Sequence, residues 1–195
     1  DTKALDGYLG VDRGVNNIAT TSEGDNWTSD EMDERRMWYQ KRRDTLQSVG
    51  TRSAKRALQH LSGKQARFQR DTNHTISKRI VSKAKARRSA IVLEDLSGIR
   101  DRTTVRRQQR ARHSNWSFYQ LRQFIEYKAL IAGVPVVKVN PAYTSQTCSR
   151  CGHCDQKNRN GSDFECRKCG HSMDADKNAA RNIAAKGAVN SPNEA

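Results

Sequence analysis

ECRKCGHSMDADKNAARNIA, residues 165–184, joins two kinds of chemistry in one short stretch. Cys166 and Cys169 form a CxxC knuckle, which is half of a tetrahedral thiolate site. Seven residues after Cys169, Asp176 opens an alanine-rich helix over 177–187, KNAARNIAAKG. An aspartate there can cap the helix by accepting from its free N–H groups. It can equally serve as an oxygen ligand for a hard divalent ion. Which role applies depends on what the rest of the chain brings to the same place.

The matching knuckle is CSRC at 148–151, separated from the second by fourteen residues. Gly152 and Gly170 follow the two knuckles and suit the turn that points both sulfurs at one ion. Cys148, Cys151, Cys166 and Cys169 are therefore expected to bind a structural Zn2+ in a ribbon over 145–172. Four thiolates leave no open position, so this ion should not catalyse. The fifth cysteine, Cys154, reads as a spare thiol, and His153 and His171 are not needed as ligands. All five cysteines lie between 148 and 169. That clustering favours metal in a reducing compartment over a disulfide scaffold.

Working outward, GYLGVDRGVNNIATTS (7–22) reads as strand, Gly/Asn turn and strand, with a third short strand around 26–29. Residues 30–70 are polar and helix-prone, capped by Ser29 or Asp30, and a second helix is expected over 73–89. IVLEDL (91–96) has three consecutive apolar residues, as a strand buried on both faces would. A basic, non-periodic stretch over about 97–115 reads as a mobile loop. WSFYQLRQFIEYKALIA (116–132) places Phe118, Leu121, Ile125 and Ala129 on one helical face. VPVVKVN (134–140) is another strand. The order is that of an α/β layer fold with mixed strand directions.

Three carboxylates stand out by position: Asp12 in GVDRG, Glu94 in IVLEDL and Asp176. The first two end strands that read as buried, where an unpaired charge is costly. Each has an ordinary alternative: a turn residue for Asp12, an arginine partner for Glu94, a cap for Asp176. Together they can converge on Mg2+ or Mn2+, and two such ions can activate water against a phosphodiester.

The formal net charge is +15 and the pI about 10.0, which attracts polyanions at long range, nucleic acid first. Arg100, Arg102, Arg106, Arg107, Arg110 and Arg112 crowd the loop after Glu94, where they would grip phosphates and act as a lid. No run of eighteen apolar residues suggests a membrane span. The chain begins without Met, directly before strand-like sequence, as a piece of a longer protein would. It shows no basic-then-apolar leader, so no secretory signal is visible and a cytoplasmic protein is expected.

GVDRGVNNIATTSEG, IVLEDLSGIR, TSQTCSRCGH…ECRKCGH and DADKNAARNIA, in this order, resemble the TnpB (OrfB) family of insertion-sequence proteins. The likeness runs from about residue 7 to residue 186, and it is similar to the RuvC nuclease half of type V CRISPR effectors. The resemblance implies an RNase H-like (RuvC-like) α/β mixed sheet flanked by helices, with an inserted zinc ribbon. The nuclease core would occupy 1–144 and 173–187, the ribbon 145–172, and a disordered tail 188–195. It also implies metal-dependent DNA cleavage guided by an RNA from the transposon end. Asp12, Glu94 (rather than Asp95) and Asp176 (rather than Asp174) would be the catalytic acids. A non-catalytic zinc-ribbon protein that binds nucleic acid and regulates transposition is the alternative, and only the carboxylates separate the two.

Overall fold

The computed structural model describes residues 5–14, 16–96 and 116–190. Strands β1 (Gly7–Asp12), β2 (Asn17–Thr21) and β3 (Asn26–Thr28) are followed by helices α1 (Asp30–Val49) and α2 (Arg52–Ala86). Then come β4 (Ser89–Glu94), α3 (Trp116–Ala132) and β5 (Val136–Val139). A small three-stranded unit, β6 (Arg159–Asn160), β7 (Asp163–Glu165) and β8 (Ser172–Asp174), leads into α4 (Ala175–Asn190).

The main sheet has the order β3-β2-β1-β4-β5. β2 and β3 run antiparallel, while β1, β4 and β5 are parallel. The mixed α/β sheet expected from the sequence is therefore present. Its strands alternate between two apolar layers, as the period of two requires. Leu9, Val11, Ile91 and Leu93 pack with Ile76, Ile80 and Ala84 of α2 and Leu121, Ile125 and Ala129 of α3. Val92 and Val139 point the other way, onto Ile183 of α4.

The expected helix over 30–70 is two helices. Gly50 takes a left-handed conformation (φ 67°) and ends α1, and Thr51 caps α2 by accepting from the Ala54 N–H at 3.2 Å. No break follows at 70–73, so α2 continues through 35 residues, roughly 50 Å. Ser29 precedes α1 without capping it through its side chain. The last helix is longer than 177–187 at both ends, and residues 188–190, expected in a disordered tail, are helical. Residues 191–195 lie outside the described ones, as do 97–115 and the side chain of Phe118.

α4 lies directly on β1 because Gly10 has no side chain. A Cβ there would sit 2.0 Å from the Ala180 carbonyl oxygen and 2.6 Å from the Ala184 nitrogen. Gly187 makes a second such contact, its absent Cβ only 2.3 Å from Val92. Gly10→Ala is thus expected to destabilise the fold by on the order of 3 kcal/mol. Thermal denaturation should show a fall of roughly 6–12 °C. Gly7→Ala is the control, because its Cβ would meet only the Ser89 hydroxyl at 3.6 Å.

Candidate active site and metal centre

Parallel pairing of β1 with β4 matches Val11 to Leu93, so Asp12 and Glu94 leave the sheet side by side at its carboxyl end. The alternation that turns Gly10 and Val92 toward α4 turns Asp12 and Glu94 the same way. The first turn of α4 then delivers Asp176 above them. Carboxyl ends of parallel strands are where open α/β sheets bind ligands.

Burial, and then the negative charges of Glu94 and Asp176, push the Asp12 carboxyl up to about 7. Arg159 opposes this shift. Burial also raises the Glu94 carboxyl, against the Thr144 hydroxyl and the charges of Arg13 and Lys186. Asp12 therefore feels the charges of both other acids, Asp176 is ion-paired with Arg159, and among the described residues the four cysteines alone stand close enough together to hold a metal ion without movement. The Cys-rich ribbon supplies one cation. The Arg159 guanidinium donates to Asp176 Oδ1 at 2.8 Å, and Asn17 donates to Asp176 Oδ2 at 2.7 Å. Thr144 donates to Glu94 Oε1 at 2.5 Å, and buried Arg13 donates to the Glu94 backbone carbonyl at 2.7 Å.

Asp174, not Asp176, caps α4: its Oδ1 accepts from the Lys177 N–H at 2.8 Å. The capping role open to Asp176 therefore falls to Asp174. The asparagines of NAARN bind the chain that leads into the first knuckle. Asn178 accepts from the Ser149 N–H at 3.0 Å and donates to the Thr147 carbonyl at 2.8 Å. Asn182 donates to the carbonyls of Thr144 and Thr147 at 2.8 and 2.6 Å. One helix therefore carries Asp176 and, through Asn182 and Thr144, steadies Glu94.

The two knuckles are built alike. The Cys148 N–H donates to the His153 carbonyl and the Cys166 N–H to the His171 carbonyl, both at 2.9 Å. Gly152 (φ 71°) and Gly170 (φ 68°) turn the chain in the left-handed region. The Sγ atoms of Cys148, Cys151, Cys166 and Cys169 all lie within 4.8 Å of one another, and they can hold a metal ion. Cys148 and Cys169 are 3.8 Å apart and Cys151 and Cys166 3.6 Å. A tetrahedron of thiolates at ~2.3 Å from zinc has edges of about 3.8 Å, so the donor set fits that ion. Burial raises the Cys166 thiol, but backbone donors of Cys169 and Lys168 outweigh it and favour the thiolate. Cys154 is exposed and outside this cluster. Phe164, fully buried with Cys148, Cys166 and Ala175, is the ribbon's apolar centre.

The six arginines expected to grip phosphate, Arg100, Arg102, Arg106, Arg107, Arg110 and Arg112, lie outside the described residues. Arg159, Thr144, Asn17, Asn178 and Asn182 escaped the sequence reading. Only the asparagines left a trace there, as two polar residues four apart on an otherwise Ala/Ile helical face. Among the described residues no helix is long and apolar enough to cross a membrane.

Residues 5–100 match the OrfB_IS605 family model, "Probable transposase", and residues 118–183 match "Cas12f1-like, TNB domain". A CRISPR-associated endodeoxyribonuclease Cas12f1 of Sulfoacidibacillus thermotolerans is 46% identical over 65% of this chain and 29% of its own length. The TnpB-like protein MJ0751 of Methanocaldococcus jannaschii is 33% identical over 74% of this chain and 53% of its own length. The chain thus spans about half, or less, of these relatives. A cryo-EM structure of a Cas12f1–sgRNA–target DNA complex superposes with a TM-score of 0.75, at 23% identity, over 94% of this chain and 51% of that one. The fold is RNase H-like (RuvC-like), with the cysteine ribbon inserted before its last helix.

Proposed function

Because this chain belongs to the TnpB (OrfB) family of insertion-sequence proteins, we propose that it is the catalytic half of a transposon-encoded, metal-dependent DNA endonuclease directed by a guide RNA. The observation that carries this reading is the buried Asp12 carboxyl, pushed up to about 7 by burial and then by the charges of Glu94 and Asp176, at the carboxyl ends of the parallel strands. Such a carboxyl is costly in an empty fold and is relieved by divalent cations.

Asp12, Glu94 and Asp176 would hold Mg2+ or Mn2+. When bound, such ions supply an activated water and stabilise the leaving oxygen of a phosphodiester. The chain's own groups do the rest. Thr144 and Asn17 fix the directions of the Glu94 and Asp176 carboxylates. Arg159 brings a guanidinium fork to the rim, where it can hold a phosphate oxygen while keeping its bond to Asp176. Zn2+ in the ribbon is structural, because four cysteines close its coordination. The nuclease core comprises 1–144 and 173–187 around the ribbon at 145–172. DNA and a guide RNA are the partners, met at the prokaryotic nucleoid, and the arginines between 100 and 112 add phosphate contacts beside Glu94.

Labelled single-stranded DNA incubated with the chain and Mg2+ or Mn2+ tests this. Nicking that requires the added ion is expected. Salt-sensitive binding without nicking at any ion concentration would point to the non-catalytic, regulatory reading.

A further inference from the structure

Arg13, directly after Asp12, is a buried cation set behind the acids, its side chain only 8% exposed. Along β1, Leu9 and Val11 face α2 and α3, while Gly10 faces α4. Asp12 continues the second set and Arg13 the first. The charged groups that Arg13 feels on its side are accordingly Arg122 and Glu126 of α3. Two neighbouring residues thus leave the end of β1 in opposite directions, Asp12 over the site and Arg13 beneath it.

The register of β1 with β4 runs from Gly7–Ser89 to Val11–Leu93. Just past that last pair, the Arg13 guanidinium reaches across to β4 and donates to the Glu94 carbonyl at 2.7 Å. It ties the main chain that carries Asp12 to the main chain that carries Glu94, at the point where both acids leave the sheet. Thr144 fixes the far end of the Glu94 side chain, at Oε1, and Arg13 fixes its root.

α3 backs this bond. Arg122 is held by Asp95 at 3.2 Å and by Glu126 at 2.9 Å, and Glu126 is held in turn by Lys138 of β5 at 3.1 Å. A guanidinium fixed there repels Arg13 toward Glu94. Burial and then Arg122 lower Arg13 to about 10, so it still carries its charge above neutral pH. Stability does not call for this arrangement. Burying a charge beside a like charge is costly, and an apolar side chain of similar size in such a place is often no less stable.

We propose that Arg13 is a positioning residue for the divalent-cation site, setting the spacing of the Asp12 and Glu94 carboxylates through the Glu94 main chain. It acts through Glu94 and not on the reacting atoms. The inference rests on the three acids forming that site, and the test separates the two claims.

Arg13→Met keeps the length of the side chain without its charge or donors, and Arg13→Lys keeps a charge and a donor. Mn2+ uptake is titrated by electron paramagnetic resonance above neutral pH, with the ribbon loaded with zinc, and melting is followed without Mn2+. A bystander cation repels a divalent ion, so its removal would tighten Mn2+ binding. A positioning residue has the opposite sign. Arg13→Met should bind Mn2+ roughly 10–100-fold more weakly while melting close to the parent, and nicking at saturating Mn2+ should fall as well. Arg13→Lys should recover most of the affinity. Arg122→Gln removes only the backing, should weaken uptake by a smaller factor, and carries the same test of sign if Arg13→Met does not fold. Equal or tighter Mn2+ binding in the folded variants would overturn the proposal while leaving the three-acid site intact. A parent chain that takes up no Mn2+ would overturn that site, and the role of Arg13 with it.

Discussion

Asp12→Asn is expected to lower metal-dependent DNA nicking by on the order of 10³-fold or more, while making the metal-free fold more stable above neutral pH. Both effects come from one carboxylate. Asn keeps the shape of the side chain but cannot supply the negative charge that a divalent ion requires. The stability effect follows from proton linkage. The Asp12 carboxyl is raised from 3.8 to about 7, first by burial and then by Glu94 and Asp176. Between about pH 4 and 7 the folded chain therefore holds a proton that the unfolded chain has released. Stability drains away as pH rises through that window, by on the order of a few kcal/mol. Asparagine has nothing to titrate. Melting temperatures of parent and variant should be close near pH 4 and diverge toward pH 8, with the variant higher by roughly 5–10 °C. Curves that stay parallel across the window would mean that Asp12 is not buried among like charges.

Stripping the ribbon's metal is expected to have the second large effect, a loss of nicking of about 10²-fold or more with only partial loss of structure. Removing the ion leaves four thiols, of which only Cys148 and Cys166 pack with Phe164, and little other apolar support. Metal binding at such a site contributes on the order of 10 kcal/mol to local folding. The consequences for the acids run through particular bonds. Arg159 begins β6 and holds Asp176, and the Ala175 N–H at the start of α4 donates to the Ser162 carbonyl. Thr144, which holds Glu94, lies on the loop entering the first knuckle. The ribbon and the loop entering it thus bear on two of the three acids, Asp176 and Glu94. Hydrogen exchange should rise over residues 145–172 and stay slow in β1 and β4. Loss of the whole circular dichroism spectrum on mild chelation would mean that ribbon and core are one folding unit. Unchanged nicking would mean that the bonds from Arg159 and Thr144 do not matter.

Much of this arrangement was legible in the sequence because it is local. Asp12 and Glu94 each end a short apolar run, so strand and acid are read together. The four cysteines carry their own spacing. What escaped was long-range or a matter of shape. Arg159 meets Asp176 and Thr144 meets Glu94 only after the ribbon has folded back on the core, and no local pattern marks either. Gly10 interrupts a strand, which is a recognised sign of close backbone approach, but its partner in α4 is some 170 residues away. Asp174 and Asp176 are both plausible caps by composition, and the register of β8 into α4 decides between them. The break at Gly50–Thr51 was available as a glycine stop followed by a threonine cap. It was masked by the strong helix propensity on either side.

The central claim is that Asp12, Glu94 and Asp176 form one divalent-cation site. The most direct measurement is Mn2+ uptake at about pH 8, followed by the loss of the free-ion electron paramagnetic resonance signal, with the ribbon kept loaded with zinc. The parent chain should take up one or two Mn2+, and Asp12→Asn should lose at least one of them or bind far more weakly. Equal uptake by the two proteins would contradict the account.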